Sequence, residues 1–196
     1  MKKSILLFSA LFATATIIMI SCTGNEKKAE TTTGALSNEE LVKRGGYLVS
    51  VSGCDDCHTP KKMGPMGPEL DMSIRLSGYR SDVPFSSVDT NVIKQGWALV
   101  NSELTGWAGP WGASCAANIT SDETGIGNWT EEQFKKALTQ GKWKGMDGNR
   151  TLLPPMPWQN FSHFTDEDVK AIFAFLKTTK PVKNIEPPIK SFSDLK

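Results

Sequence analysis

Three stretches of the chain carry apolar side chains at helical spacing. In the last of them, apolar residues recur at i, i+3, i+4 and i+7 from Val169, the spacing of a stripe that faces a core. Each stretch begins with Ser or Thr, followed three residues later by Glu, Gln or Asp, which is an N-terminal helix signal. The pattern predicts helices from Ser37 to about residue 52, from Thr130 to about residue 140 and from Thr165 to about residue 178.

The first predicted helix contains two consecutive glycines, Gly45 and Gly46. A glycine in a helix interior lowers helix stability by about 1 kcal/mol relative to alanine. Two consecutive glycines therefore suggest a structural requirement for the absence of side chains. We expect another helix to cross closely at this point, with a simple kink as the alternative.

The first residues have the pattern of an export signal. Lys2 and Lys3 precede an apolar run over residues 5–20, which is shorter than the roughly 20 residues of a membrane span. The run ends in Ser21-Cys22, which resembles the cleavage box of bacterial lipoproteins. That resemblance implies cleavage before Cys22, lipidation of its thiol and anchoring to a membrane on the periplasmic side of the cell envelope. The alternatives are a plain signal peptide with an unmodified Cys22, or an uncleaved anchor.

Composition suggests one domain with extensions. The chain has 196 residues, 39% hydrophobic and 22% charged, with a formal charge of +1, so nothing points to nucleic acid as a partner. We expect a signal peptide over residues 1–21, a flexible polar tether over 22–37, a folded domain over 38–180 and a C-terminal extension over 181–196.

The segment SGCDDCHTP places two thiols and an imidazole in the order Cys54, Cys57, His58. A thioredoxin-like redox pair expects a strand before the motif and a helix after it, whereas here a helix precedes and Pro60 follows. A zinc site at Cys54 and Cys57 would need two further ligands of the right type, and the only candidates are Cys115 and His163.

C-x-x-C-H is also the attachment signature of covalent haem c. The export signal supports this interpretation, because haem c is attached to exported chains. In this interpretation Cys54 and Cys57 form thioethers with the haem, and His58 binds the iron. One motif predicts one covalent haem.

A second axial ligand is expected from Met156. It lies in LLPPMPW, where three prolines fix the backbone around one thioether and reduce the entropy lost when sulfur is presented to iron. His163 is the chief rival. Met63 and Met66 follow the haem motif closely and should lie on the His58 side, from which the opposite face is hard to reach. Met72 and Met146 lack a comparably stiff setting.

The order of helix, CDDCH, variable stretch, Pro-rich methionine loop and closing helix resembles class I cytochromes c over about residues 38–180. The resemblance implies an all-α cytochrome c fold, with the N- and C-terminal helices packed around a covalent haem. In that family these helices cross through small and aromatic residues, for which Gly46 and Phe173 are candidates. The segment NITSDETGIGNW, residues 118–129, is similar to one in the cytochrome subunits of membrane-bound alcohol and aldehyde dehydrogenases, which often carry several haem domains.

Residues 63–117 depart from a minimal cytochrome c and are expected to form a long, irregular but ordered insertion. Weak alternation allows one or two short strands there. The tryptophans of this insertion, Trp97, Trp107 and Trp111, either shield the haem from water or form a docking patch for a redox partner.

These features together predict a mono-haem electron carrier without catalysis of its own. Its partners would be a dehydrogenase, a quinol-oxidising complex or a terminal oxidase, reached from the membrane surface. Two alternatives stay open: an open-site haem protein that senses or reacts with O2, NO or peroxide, and a fixed haem subunit of a membrane dehydrogenase complex.

Overall fold

The computed structural model describes residues 36–195. The predicted signal peptide, Cys22 and most of the predicted tether lie outside these residues. Within residues 36–195, no helix has both the length and the apolar character needed to cross a membrane.

The described residues form six α-helices: α1 (Asn38–Val51), α2 (Cys54–His58), α3 (Thr90–Lys94), α4 (Glu131–Gln140), α5 (Trp158–Phe161) and α6 (Asp166–Lys177). The three predicted helices are confirmed as α1, α4 and α6. Their starts have the predicted chemistry: capping boxes precede α1 and α6, and the Thr130 side chain accepts a hydrogen bond from the Gln133 N–H at the start of α4.

Five short strands accompany the helices in residues 36–195: β1 (Lys61–Gly64), β2 (Gly67–Leu70), β3 (Leu99–Val100), β4 (Gly106–Gly109) and β5 (Gly112–Cys115). Strands β1 and β2 form an antiparallel hairpin, and the other three form an antiparallel sheet in the order β3-β4-β5. The expectation of an all-α fold is therefore wrong, because the described part is mixed α/β. Strands of two to four residues are too short to show a clear alternation in the sequence.

The expected irregular insertion contains most of this strand structure. It also provides most of a second, small apolar core, in which Ile93, Ala108 and Ala113 are buried. Leu195, near the chain end, completes that core. Trp97 is 66% exposed.

The main core lies where α1 and α6 cross, and it confirms the close approach expected at the two glycines. Space for a side chain at Gly45 is taken by the backbone carbonyl of Ala171. A Cβ at Gly46 would lie 3.0 Å from the ring of Phe175. Phe173, the aromatic residue expected opposite Gly46, instead packs against Phe134 of α4 at 5.3 Å between ring centroids.

The segment after α6 is tied to the domain by a buried asparagine. Asn184 donates hydrogen bonds from Nδ2 to the carbonyls of Ser77 (2.6 Å) and Tyr79 (2.8 Å), and its Oδ1 accepts one from the N–H of Ser81 (2.9 Å). This segment therefore holds a loop that lies within the insertion.

Candidate cofactor site

The three motif residues predicted to bind haem lie together on the five-residue helix α2. Gly53, with φ of 72°, makes the left-handed turn that separates α1 from α2. Helix α2 ends at His58, because Thr59 turns to an extended conformation before Pro60. One short helix thus presents Cys54, Cys57 and His58.

His58 is held with one ring nitrogen committed and the other free to act as a ligand. Its Nδ1 lies 2.7 Å from the carbonyl oxygen of Ala117. A carbonyl can only accept, so Nδ1 carries the proton, and in the neutral ring Nε2 has a lone pair. Burial lowers the pKa of His58, which favours this neutral form.

Asp55, between the two cysteines, is buried. Its carboxylate accepts two hydrogen bonds from the guanidinium of Arg75 and one from the hydroxyl of Thr59 (2.8 Å). Burial alone would raise the pKa of Asp55, but the hydrogen bonds from Arg75 and Thr59 outweigh it and lower the pKa. Sequence reasoning missed this pair because Arg75 lies in a separate segment with no local signal.

Lys61 also serves the motif helix. Its ammonium group donates to the carbonyl oxygens of Thr59 (2.8 Å) and Asp55 (3.4 Å), and to that of Asp56. These carbonyls belong to the end of α2, where a cation is favourable. The side chain is therefore engaged with the helix that carries the motif.

The motif thiols do not have the electrostatics of redox cysteines. Burial, followed by the charges of Asp55 and Cys57, raises the pKa of Cys54 to about 12, and burial also raises the pKa of Cys57. Thiols that exchange with disulfides have lowered pKa values instead. The local environment therefore argues against the thioredoxin-like alternative.

The zinc alternative has no support in the geometry. Within residues 36–195, no three side chains of His, Cys, Asp or Glu come together in a group that could hold a metal ion. Cys115 ends β5, and burial raises the pKa of its thiol to about 12. His163 is exposed after α5.

Met156 differs from the other methionines of the described part in its surroundings. It is half-buried and packs against the main core, whereas the others are 52% to 95% exposed. The Met156 loop, residues 152–158, is fastened at two points. The Leu152 N–H donates to the carbonyl of Gly141 (2.7 Å), and the Ser114 hydroxyl donates to the carbonyl of Pro154 (2.6 Å).

Cys54 and Met156 border the same apolar core, which is formed mainly by α1, α4 and α6. The structure thus brings the motif helix and the Met156 loop to one core. His163, the rival ligand, is not part of that core.

Comparison with known proteins identifies the class. No protein-family model matches the chain. The chain is 32% identical over 184 residues to the fructose dehydrogenase cytochrome subunit of Gluconobacter japonicus, an alignment that covers 92% of this chain and 30% of that subunit. It is 32% identical over 148 residues to the cytochrome c subunit of the quinone alcohol dehydrogenase of Gluconobacter oxydans, over 74% of this chain and 23% of that subunit.

A third relative is the gluconate 2-dehydrogenase cytochrome c subunit of Pantoea cypripedii, 31% identical over 140 residues, with 71% of this chain and 23% of that subunit covered. The chain thus spans less than a third of the length of these relatives. It contains a cytochrome c domain that resembles theirs, and the resemblance implies haem c as the cofactor.

The donor set fits such a cofactor. Helix α2 offers two neutral thiols at the C-x-x-C spacing and an imidazole with a bare Nε2, and a stiff loop places the Met156 thioether at the same core.

Proposed function

We propose that the protein is a c-type cytochrome that passes single electrons between redox partners and performs no bond chemistry of its own. The observation that carries the proposal is the arrangement of α2, where two thiols accompany an imidazole whose Nδ1 is fixed by Ala117. The resemblance to dehydrogenase cytochrome subunits supports it. Haem c, when bound, supplies an iron that alternates between the ferrous and ferric states.

The residues of the chain would hold one covalent haem. Cys54 and Cys57 would form the thioethers, His58 would bind the iron through Nε2, and Met156 would bind it through sulfur. The apolar core that borders Cys54 and Met156 would exclude water, and a constant ligand set keeps reorganisation small during electron transfer.

The partner we propose is a dehydrogenase, since the relatives named above are cytochrome subunits of fructose, alcohol and gluconate dehydrogenases. Their names also favour the second candidate, a cytochrome built permanently into a dehydrogenase complex. A quinol-oxidising complex or a terminal oxidase would be the second redox partner of the protein. Co-purification at native abundance, followed by mass spectrometry, separates a stable complex from a free carrier.

We further propose that the protein is held at the periplasmic side of a membrane by a lipid on Cys22. The support is the sequence of residues 1–22: a charged start, an apolar run and a Cys after a small residue. Intact mass of the mature chain tests this proposal, because cleavage before Cys22 plus acylation gives a defined mass. A Cys22→Ser variant should leave the membrane fraction and keep its haem.

The electron-carrier proposal is tested by spectroscopy on protein matured with a cytochrome c assembly system. We expect a haem-staining band, a mass increase of one haem, and in the oxidised protein the weak far-red band of methionine sulfur on ferric iron. Met156→Ala should abolish that band, while the exposed Met146→Ala should retain it. A colourless mature protein refutes the proposal, and ready binding of carbon monoxide to the reduced wild type would favour the open-site alternative.

A further inference from the structure

Arg75 grips the carboxylate of Asp55 with two parallel hydrogen bonds. Nε donates to Oδ1 at 2.8 Å and Nη2 donates to Oδ2 at 2.7 Å. Asp55 is the second residue of α2 and lies between the two motif cysteines. It is only 8% exposed. A fork-to-fork pair of this kind fixes the relative orientation of two groups more tightly than a single contact does.

Two further contacts fasten the same segments to each other. The Thr59 hydroxyl donates to Asp55 Oδ1 and accepts from the Leu76 N–H at 2.9 Å. The Gly78 N–H donates to the carbonyl oxygen of His58 at 2.7 Å. Residues 75–78 therefore run beside the motif helix and bind it at three points, the last of them on the proposed iron ligand itself.

The partner of Asp55 is itself anchored in the core of the domain. The guanidinium of Arg75 lies over the ring of Phe175, 5.5 Å from its centroid. Phe175 belongs to α6 and faces Gly46 of α1. Leu76, the next residue after Arg75, is fully buried in the main core. The pair thus connects the motif helix to the crossing of the two main helices.

We propose that Asp55 and Arg75 are positioning residues that set the orientation of α2 and, through it, of the His58 imidazole. This inference rests on the proposed function, in which His58 is an iron ligand. Net stability is a weaker explanation of the pair, because a largely buried ion pair contributes little compared with apolar residues of the same volume. Its fork geometry, in contrast, specifies an orientation.

The test uses the matured haem protein and variants that keep both charges. Asp55→Glu and Arg75→Lys change the geometry of the pair only. We expect both to shift the g-values of the ferric protein in electron paramagnetic resonance and the hyperfine-shifted haem methyl signals in NMR, since both depend on the plane of the axial imidazole. The matched controls are the same two substitutions at another pair, Asp82→Glu and Arg80→Lys.

The control pair has the same fork geometry at an exposed site. Arg80 donates from Nε and Nη2 to the carboxylate of Asp82 at 3.1 and 2.7 Å. Variants of this pair should leave the g-values and methyl shifts unchanged. Spectra of Asp55→Glu and Arg75→Lys that match the wild type would overturn the inference and leave the proposed function standing.

Charge-removing variants separate position from electrostatics. If the pair acted only through its charges, Asp55→Asn would raise the reduction potential, Arg75→Gln would lower it, and the g-values would stay those of the wild type. That outcome also overturns the inference. A positioning role predicts altered g-values in both Asp55→Asn and Arg75→Gln. The double variant should then change the g-values no more than the more affected of the two single variants does.

Failure to load haem is informative as well. If the Asp55 and Arg75 variants keep the wild-type circular dichroism but lose covalent haem severalfold, while the Asp82 and Arg80 variants load normally, the positioning role is supported. A wild-type protein without haem would instead refute the proposed function itself.

Discussion

Gly45 in α1 faces the backbone carbonyl of Ala171 in α6 so closely that a methyl group on Gly45 would overlap the carbonyl oxygen. The obstacle is backbone within a helix, so it cannot move aside as the end of a flexible side chain can. The two main helices therefore depend on the absence of a side chain at this position.

Gly45→Ala should accordingly destabilise the domain, by about 1–3 kcal/mol or more, because overpacking outweighs the gain in helix propensity. Gly46→Ala should have a smaller effect, since its Cβ would meet only the ring of Phe175 at 3.0 Å. Urea unfolding of both variants measures the difference. Equal stability of the two variants would contradict the close crossing.

The hydrogen bonds of Asp168, including one from Arg44, should make the stability of the domain depend on pH. The Asp168 side chain accepts from the Thr165 hydroxyl at the start of α6 (2.8 Å) and from Arg44 Nε in α1 (3.0 Å). Burial alone would raise the pKa of Asp168, but these hydrogen bonds outweigh it, so the pKa is lowered in the folded state.

A carboxyl group whose pKa is lower in the folded than in the unfolded chain stabilises the fold above its unfolded value of about 3.9. That contribution is lost as pH falls below about 4 towards the lower pKa of the folded state. Asp168→Asn should reduce stability at pH 7 and flatten its decline below pH 4, as measured by thermal unfolding across pH. Asp166→Asn, at an exposed carboxylate of the same turn, is the control and should keep the steep decline.

Local signals in the sequence account for what could be predicted of the fold. The starts of α1, α4 and α6 are marked by residues three apart, and the haem motif occupies five consecutive residues, so neither requires knowledge of the tertiary structure. The sequence allowed one or two short strands in the insertion. The two sheets of the described part could not be predicted, because their strands are very short and their order comes from pairing between strands.

Contacts between distant segments left no trace in the sequence pattern. No nearby residue indicates that Asp55 is buried, because its partner Arg75 lies 20 positions further on. Asn184 gave no signal at all, since its acceptor on Ser77 is 107 positions away. The Met156 loop is intermediate: its prolines are visible in the sequence, but the hydrogen bond from Ser114 that fastens it is not.

Asn184 should prove to be a large contributor to stability for its size. Its amide satisfies the carbonyls of Ser77 and Tyr79 and the N–H of Ser81, in a residue only 8% exposed. Asn184→Ala leaves these groups without their partner, at a cost of about 1–3 kcal/mol. Denaturant unfolding of this variant should show a lower midpoint than Asn91→Ala, whose side chain is exposed. Indistinguishable midpoints would mean that residues 181–195 do not hold the loop.

Ser114 is expected to control how firmly the Met156 loop is held. Its hydroxyl donates to the carbonyl of Pro154 at 2.6 Å, and this bond ties β5 to the loop that carries the proposed sulfur ligand. Ser114→Ala removes the donor without adding volume. The bound conformation of the loop should therefore lose about 0.5–1.5 kcal/mol of stability, the net contribution of one hydrogen bond. We expect the far-red methionine–iron band of the oxidised protein to disappear at a lower temperature, before the haem domain itself unfolds.

The exposed Ser193→Ala is the control for this variant, and its band should disappear at the wild-type temperature. The two transitions can be followed on one sample, the band by visible absorption and the fold by circular dichroism. If Ser114→Ala loses the band and the helical signal together at the wild-type temperature, then the loop is held by its prolines alone. Separate transitions would show that a hydroxyl from the sheet, outside the helical frame, secures the ligand loop.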